Sequence, residues 1–386
     1  MRIAIVINTS WNIYNFRKGL IKNLLKQGHE VFAIAPQDDY SEKLKNLGCH
    51  YVPVSLDNKG SNVKKDFIFL LDLYFIYKKI KPDIILHYTI KPNVYGTIAA
   101  YLRGIPCINN VSGLGTVFLR DNWTSKIALT LYKIAFLFPK KVFFQNKDDK
   151  ALFIKKRLIK RELTDILPGS GIDLNHFKPA PFIKNETFTF LLIARLLFDK
   201  GIIEYIKAIK TLRRMGVPAH FQLLGLIDHS HLGITQEDLN SWIKEGLIEY
   251  LGFTEDVRPS IYKADCIVLP SYREGTPRTL LEAASLAKPI IATNVPGCTE
   301  IVVDEVNGFL CEVKNPRDLA YKMIKMIELS TEEIKEMGVQ SRKQVERKFD
   351  EKEVISKYNE ALVSLFGREK IIEFELPILT QKLAIK

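Results

Sequence analysis

Short apolar runs alternate with stretches of helical periodicity from the second residue of this chain nearly to its end, and no other feature narrows its fold as much. Ile3–Ile7 is followed by a helical pattern over Phe16–Gln27, and His29–Ala35 reads as the next strand. Ser41–Leu47 is helical, Tyr51–Val54 extended and Lys65–Lys79 helical; Asp83–His87, Ile105–Asn109 and Lys141–Gln145 are further strands. This repetition predicts a parallel, doubly wound sheet. It pauses at Pro179–Glu186, a polar, proline-bearing stretch of linker character. It then restarts with strands at Phe188–Ala194, Phe221–Leu224, Glu249–Leu251, Cys266–Leu269 and Pro289–Ala292, and helices at Ile202–Met215, Arg278–Ala287 and Glu351–Leu365. The expected fold is α/β, with a first domain over 1–180, a second over 181–365, and a tail over 366–386 packing back on the first. Ligands of open α/β sheets lie at the carboxyl ends of the strands, so the cleft between the two sheets is the expected site.

The 386 residues, 47% hydrophobic and 26% charged, exclude a disordered, collagen-like or coiled-coil chain. Charge is unevenly spread: residues 1–180 carry 28 Lys and Arg against 14 Asp and Glu, and the remainder 28 against 30. A basic half suits phosphate, as nucleic acid, anionic lipid or a phosphorylated substrate; plain high lysine usage is the alternative. Nucleic acid is disfavoured, because no basic helix interleaves base-stacking aromatics. Five scattered cysteines (Cys49, Cys107, Cys266, Cys298, Cys311) without CxxC spacing argue for a reducing compartment, against a zinc site or disulfide framework. Met1-Arg2 leads straight into an apolar strand, too short for a signal peptide, and no apolar run has membrane-spanning length. A cytoplasmic protein is expected.

The chemistry concentrates after the Cys266–Leu269 strand, in Pro270-Ser271-Tyr272-Arg273-Glu274-Gly275-Thr276-Pro277-Arg278, which runs into a helix holding Glu282. Thr276 is placed to cap that helix and Pro277 to open it. A helix N-terminus after a parallel strand attracts anions. Glu282 would lie roughly 7–9 Å along the axis, the reach from a diphosphate to a ribose, and Glu274 on the sugar side of the turn. Taken singly, each reads better as a solvated turn or helix glutamate; together, eight apart around a Gly-Thr-Pro turn, they outweigh that reading. A second segment, Arg195-Leu196-Leu197-Phe198-Asp199-Lys200-Gly201, follows the first strand of the second half. Two fixed cations there can stabilise a departing nucleoside diphosphate. No Asp-x-Asp pair for a catalytic metal is present, so Arg195 and Lys200 offer a metal-free substitute.

The spacing of Glu274 and Glu282 resembles the Glu-x7-Glu signature of the retaining glycosyltransferases of family 4. Arg195 with Lys200-Gly201 resembles that family's Arg-x4-Lys-Gly element. The resemblance covers roughly 168–365, including Ser170-Gly171-Ile172-Asp173 with Phe177 and Pro179, Val295-Pro296-Gly297 before Glu300, and Leu251-Gly252-Phe253. It implies a GT-B fold, two Rossmann-like domains facing each other across a cleft. It further implies that Glu274 contacts donor-sugar hydroxyls, Glu282 the ribose, and the amides of Gly275 and Thr276 the distal phosphate. Arg195 and Lys200 would grip the diphosphate, and Phe253 would lie in the loop that reads the nucleobase. With no convincing nucleophile, front-face displacement is expected, and no cofactor beyond the nucleotide-sugar substrate.

The first half departs from the glycine-rich first loop of many members, having Asn8-Thr9-Ser10-Trp11-Asn12 instead. It resembles a subgroup of bacterial transferases that build lipid-linked glycans, on Lys91-Pro92-Asn93-Val94-Tyr95-Gly96, Ser112-Gly113-Leu114-Gly115 with Phe118, and Phe144-Gln145-Asn146. Members move an N-acetylhexosamine, such as N-acetylgalactosamine, or a related sugar onto an undecaprenyl-diphosphate-linked acceptor. Lys91 and Asn93 at a strand end could hold the anionic head group, and Gly113 and Gly115 would allow close approach; a surface lysine and plain turn glycines are the alternative. His87 is either a donor to a sugar hydroxyl or a structural histidine. Lys64–Lys79 and Lys126–Lys141 mix apolar and aromatic residues between lysines, suiting either helices on an anionic membrane surface or buried helices. Peripheral attachment at the inner face of the cell membrane is expected. Other readings are transfer of a hexose or deoxyhexose, a nucleotide-sugar epimerase or hydrolase of the same fold, and a catalytically silent membrane scaffold.

Overall fold

The computed structural model describes residues 1–57, 62–113, 123–182, 185–228 and 232–367. Among these residues thirteen strands form two parallel sheets in two compact units, one made of Met1–Gly171 with the chain from Glu351 onward, the other of Ile172–Asp350. The first sheet contains β1 (Arg2–Val6), β2 (Glu30–Ala35), β3 (His50–Pro53), β4 (Ile84–Tyr88), β5 (Cys107–Val111), β6 (Lys141–Phe144) and β7 (Thr164–Ile166), in the order β3-β2-β1-β4-β5-β6-β7. The second contains β8 (Thr189–Ile193), β9 (His220–Leu224), β10 (Glu249–Tyr250), β11 (Cys266–Leu269), β12 (Ile290–Thr293) and β13 (Gly308–Cys311), in the order β10-β9-β8-β11-β12-β13. Strand order therefore reverses between β1 and β4 in one unit and between β8 and β11 in the other. Those two carboxyl edges are where each sheet opens a crevice.

The strands read as continuous apolar runs because each is covered on both faces. Ile3 and Ile5 pack with Leu20, Ile21 and Leu24 of the helix Ser10–Lys26, while Ala4 and Val6 pack with Phe69, Leu73 and Tyr77 of the helix Val63–Ile80. In the second unit Phe190 and Leu192 face Tyr205, Ile209 and Leu212 of the helix Ile202–Arg214, and Leu191 and Ile193 face Leu280, Leu281 and Ala284 of the helix Arg278–Ser285.

Two boundaries differ from expectation. The division falls at Gly171, before the proline-bearing stretch, because Ile172 and Phe177 are buried in the second unit's core and Arg342 donates to the Phe177 carbonyl at 2.7 Å. The closing helix Glu351–Phe366, expected in the second domain, belongs to the first: Val354, Tyr358 and Leu362 complete the core around Ile3 and Ile5, and Asn110 Nδ2 donates to Tyr358 Oη at 3.1 Å. The tail expected to pack there lies outside the described residues beyond 367. Strands β7 and β13 and the helices Pro316–Glu328 and Thr331–Lys348 are additional to the expected elements, although Ser330 and Glu333 form a legible capping box.

The first lysine-flanked stretch is a helix and the second is helical as far as Ala135; each buries some apolar residues and exposes others. Val63–Ile80 buries Phe69, Leu73, Tyr77 and Ile80, yet Phe67 and Phe75 are each 59% exposed, with Ile68 and Leu71 between them. Around the helix Trp123–Ala135, Tyr132 and Phe136 are buried while Ile127, Ile134 and Leu137 are exposed. Among the described residues no helix is long and apolar enough to cross a membrane. All five cysteines are buried free thiols.

Candidate active site

The loop after β8 runs from Ala194 to Lys200 and ends at Gly201, where the helix Ile202–Arg214 begins. Gly201 has φ +73, and a Cβ there would lie 2.0 Å from the Pro270 carbonyl oxygen. Only glycine lets this loop rest against the loop after β11. The Asp199 carbonyl then accepts from the Tyr272 amide at 2.8 Å and from Ser271 Oγ at 3.1 Å. From β12 the Thr293 hydroxyl donates to the Ser271 carbonyl. Gly297, at φ +85, lies so close beneath the turn that a Cβ would meet the Gly275 carbonyl at 2.5 Å and that of Glu274 at 2.8 Å. Three carboxyl-edge loops are thus locked together by backbone contacts.

This packing brings Lys200 to Glu274, 74 residues later, with Nζ 2.5 Å from Oε1 and both side chains largely buried. Arg195 stands at the same edge, its side chain 65% exposed and 3.5 Å from Asp228. Glu282 is held differently. Arg278 donates to it from one turn earlier at 3.0 Å, and the Arg278 guanidinium lies over the Phe177 ring, 5.6 Å from its centre. Burial raises the Glu282 carboxyl above its ordinary range, and Arg278 opposes that rise. The helix starts at Arg278, so Pro277 does not open it and Thr276 does not cap it. Pro277 occupies the capping position, and having no side-chain acceptor it makes no cap bond. Gly275 is buried in the turn and Thr276 partly exposed. Phe253 is exposed just after β10, where the Gly225 amide donates to the Gly252 carbonyl at 2.7 Å and Gly225 abuts Ala194. The carboxyl ends of β8, β9 and β10 therefore converge beside Phe253.

One pair at this edge was missed from sequence: Tyr272 Oη donates at 2.9 Å to Glu204, a buried glutamate in the first turn of the helix Ile202–Arg214. Tyr272 is legible as a residue of the donor loop, but a first-turn glutamate reads as a dipole partner and does not point to it. Among the described residues no group of three or more His, Cys, Asp and Glu side chains could hold a metal.

In the first unit the acceptor-side candidates are committed internally. Lys91 Nζ lies 2.5 Å from Asp66, which also accepts from Tyr95 Oη at 3.0 Å. Pro92–Gly96 forms a π-helical turn that carries Asn93 inward, where its Nδ2 donates to the Asn110 carbonyl at 2.8 Å. Asn93 is buried, with its Oδ1 left without a partner among the described residues. His87 is the structural histidine: fully buried, 3.0 Å from Tyr77 Oη and 3.1 Å from Asn109 Oδ1, and pushed by burial down to about 3. Gly113 has φ +136, and Gly115 lies outside the described residues.

Residues 2–146 match the family described as glycosyl transferase 4-like, and residues 175–344 match glycosyl transferases group 1. The N,N'-diacetylbacillosaminyl-diphospho-undecaprenol alpha-1,3-N-acetylgalactosaminyltransferase of Campylobacter jejuni is 30% identical over 348 residues, 85% of this chain and 90% of that relative. The UDP-Gal:alpha-D-GlcNAc-diphosphoundecaprenol alpha-1,3-galactosyltransferase of Escherichia coli is 29% identical over 304 residues, 72% of this chain and 74% of the relative. Among solved structures, Anabaena HepE in complex with UDP and glucose superposes with a TM-score of 0.78 at 19% identity, covering 94% of this chain and all of that one, a likeness of fold. Two doubly wound sheets with the same strand order, the matched families and the Campylobacter relative agree: the chain belongs to the family 4 glycosyltransferases of GT-B fold.

Proposed function

We propose that this glycosyltransferase moves a sugar, an N-acetylhexosamine such as N-acetylgalactosamine, from a UDP-sugar to an undecaprenyl-diphosphate-linked saccharide with retention of configuration. The observation that carries the donor half is the Lys200–Glu274 pair beside Arg195 at the carboxyl edge of β8 and β11. A diphosphate at this edge meets two cations, and the neighbouring carboxylate is left to hold hydroxyls of the attached sugar. Arg195 and Lys200 stabilise the charge that grows on the leaving UDP, with no metal or other cofactor in the scheme. Glu282 binds the ribose, Phe253 lies by the base, and the amides of Gly275 and Thr276 serve the distal phosphate. In the transfer the bond between the anomeric carbon and the phosphate oxygen breaks, and the acceptor hydroxyl bonds that carbon from the same face. Its proton passes to the departing diphosphate.

The acceptor half is supported by the Campylobacter and Escherichia relatives, whose names specify undecaprenyl-diphosphate-linked acceptors. The basic first unit and the lysine-flanked, aromatic-rich surface of the helix Val63–Ile80 suit an anionic bilayer, where such an acceptor resides. The test is a screen of UDP- and GDP-sugars against a short synthetic polyprenyl-diphosphate disaccharide, with product anomers assigned by NMR. Transfer from a UDP-N-acetylhexosamine with retention is expected. Turnover of the donor alone would favour an epimerase or hydrolase, and absence of transfer to any lipid diphosphate would remove the acceptor.

A further inference from the structure

Arg17 is the eighth residue of the helix Ser10–Lys26, about 10 Å along its axis from the start. Its guanidinium carbon lies 4.2 Å from the centre of the Tyr88 ring, the last residue of β4. The charge therefore stands at the reversal point of the first sheet, the edge where an α/β sheet takes its ligand.

Arg17 is 4% exposed. Its Nη1 donates to the Phe16 carbonyl at 3.1 Å, its buried Nε–H has no acceptor, and no carboxylate pairs with it among the described residues. The nearest wall is aromatic and neutral: Tyr88 stacks beneath it, and Tyr358 lies against Tyr88 with ring centres 6.2 Å apart. A guanidinium withdrawn from water without a counter-ion is costly, and stacking on tyrosine returns only part of that cost. A buried polar group left unsatisfied calls for an explanation, and a ligand that completes it is one. The planar fork of arginine matches phosphoryl oxygens. Lys91, the cation that sequence spacing offers for this edge, is already neutralised by Asp66.

We infer that Arg17 is the anion-binding group of the first unit and takes a phosphoryl oxygen of the acceptor's diphosphate. The inference rests on the reading above that the acceptor carries one.

The test uses the full chain and the variants Arg17→Met and Arg17→Lys, with calorimetric binding of a short-chain polyprenyl diphosphate in detergent, the matching polyprenyl alcohol, and UDP. Arg17→Met is expected to weaken the polyprenyl diphosphate at least tenfold and leave the alcohol and UDP within twofold. Its thermal midpoint should equal or exceed wild type, because a charge buried for function is not a packing asset. Arg17→Lys, the variant to use should Arg17→Met fail to fold, keeps the charge without the fork and is expected to weaken the same ligand at least threefold. Unchanged polyprenyl diphosphate affinity in both variants overturns the inference, as does a loss of UDP affinity in step. A lower midpoint in Arg17→Met with wild-type binding in Arg17→Lys makes Arg17 a packing group and overturns it too. Should the wild type transfer sugar to no lipid diphosphate, inorganic pyrophosphate with UDP saturating the second unit still tests the site. Its binding must disappear in Arg17→Met, and persistence overturns the assignment.

Discussion

The Lys200 ammonium lies 2.5 Å from a Glu274 carboxylate oxygen although 74 residues separate them, and each is presented by a loop at the carboxyl edge of the second sheet. With both side chains largely buried, neither charge is satisfied by water alone. Lys200→Ala and Glu274→Ala are each expected to lower kcat by about 10²-fold or more, the scale of losing a group that meets developing charge. Circular dichroism should show a folded protein in both. Wild-type turnover in either variant would remove the pair from the donor site.

Gly201 offers a cleaner probe of how the edge is assembled. Its φ of +73 is nearly matched by Gly216 at +71, but a Cβ at 201 meets the Pro270 carbonyl at 2.0 Å, whereas one at 216 meets nothing within 4 Å. Gly216→Ala should therefore cost only the backbone strain, about 1–2 kcal/mol. Gly201→Ala should cost more and displace Lys200, lowering activity as well. Urea titrations and initial rates of the two variants separate these terms; equal losses in both would mean the loops are not held by close approach.

The proposed contact with an anionic membrane can be tested at Phe67 and Phe75, both exposed on the helix Val63–Ile80. Phe67→Ser with Phe75→Ser is expected to reduce sedimentation with phosphatidylglycerol vesicles several-fold, at low and high salt, while the thermal midpoint holds, since neither ring is part of the core. Replacing Lys78 and Lys79 by glutamine should instead weaken binding mainly at low salt. Vesicle binding indifferent to both changes would count against this face.

Stability should fall on acidification for an identifiable reason. Burial pushes His87 down to about 3, and burial with the nearby terminal amine pushes His29 down to about 4, from an ordinary 6.5. Below about pH 6.5 the unfolded chain takes up protons that the folded chain refuses, so stability declines as pH drops, until the folded values are reached. Each histidine contributes a slope approaching 1.4 kcal/mol per pH unit. Between about pH 7 and pH 5 the wild type should lose roughly 2 kcal/mol more than His87→Gln. Parallel losses in denaturant titrations at the two pH values would contradict this.

Much of this architecture is legible in the residues. The unbroken apolar runs of β1, β4, β8 and β11 exist because each strand faces a core on both sides, and that pattern survives without any partner sequence. The motifs holding Gly201 and Gly297 are legible too, but the close backbone approaches that require those glycines show only in the folded chain. What stayed hidden depends on pairings between distant segments. Asp66 neutralises Lys91 from 25 residues away, and a single π-helical turn swings Asn93 inward. Arg17 falls on the apolar stripe of Ile13, Leu20, Ile21 and Leu24, but the ring it stacks on, Tyr88, is 71 positions later. An amphipathic helix likewise carries no address, so Glu351–Phe366 could be recognised as a helix but not assigned to its sheet.

That last helix has a consequence for the order in which the molecule can be made. Asn110 waits for Tyr358, 248 residues downstream, and the core around Ile3 and Ile5 lacks Val354, Tyr358 and Leu362 until that helix has been made. The Ile172–Asp350 segment is whole before then, its two ends already joined by the bond from the Ile172 amide to the Phe349 carbonyl at 2.8 Å. Domains generally fold first-made, first-folded. Here the later-synthesised unit can close while the earlier one is still open, so the nascent first unit keeps an unsealed hydrophobic face until the whole of Ile172–Asp350 has been made.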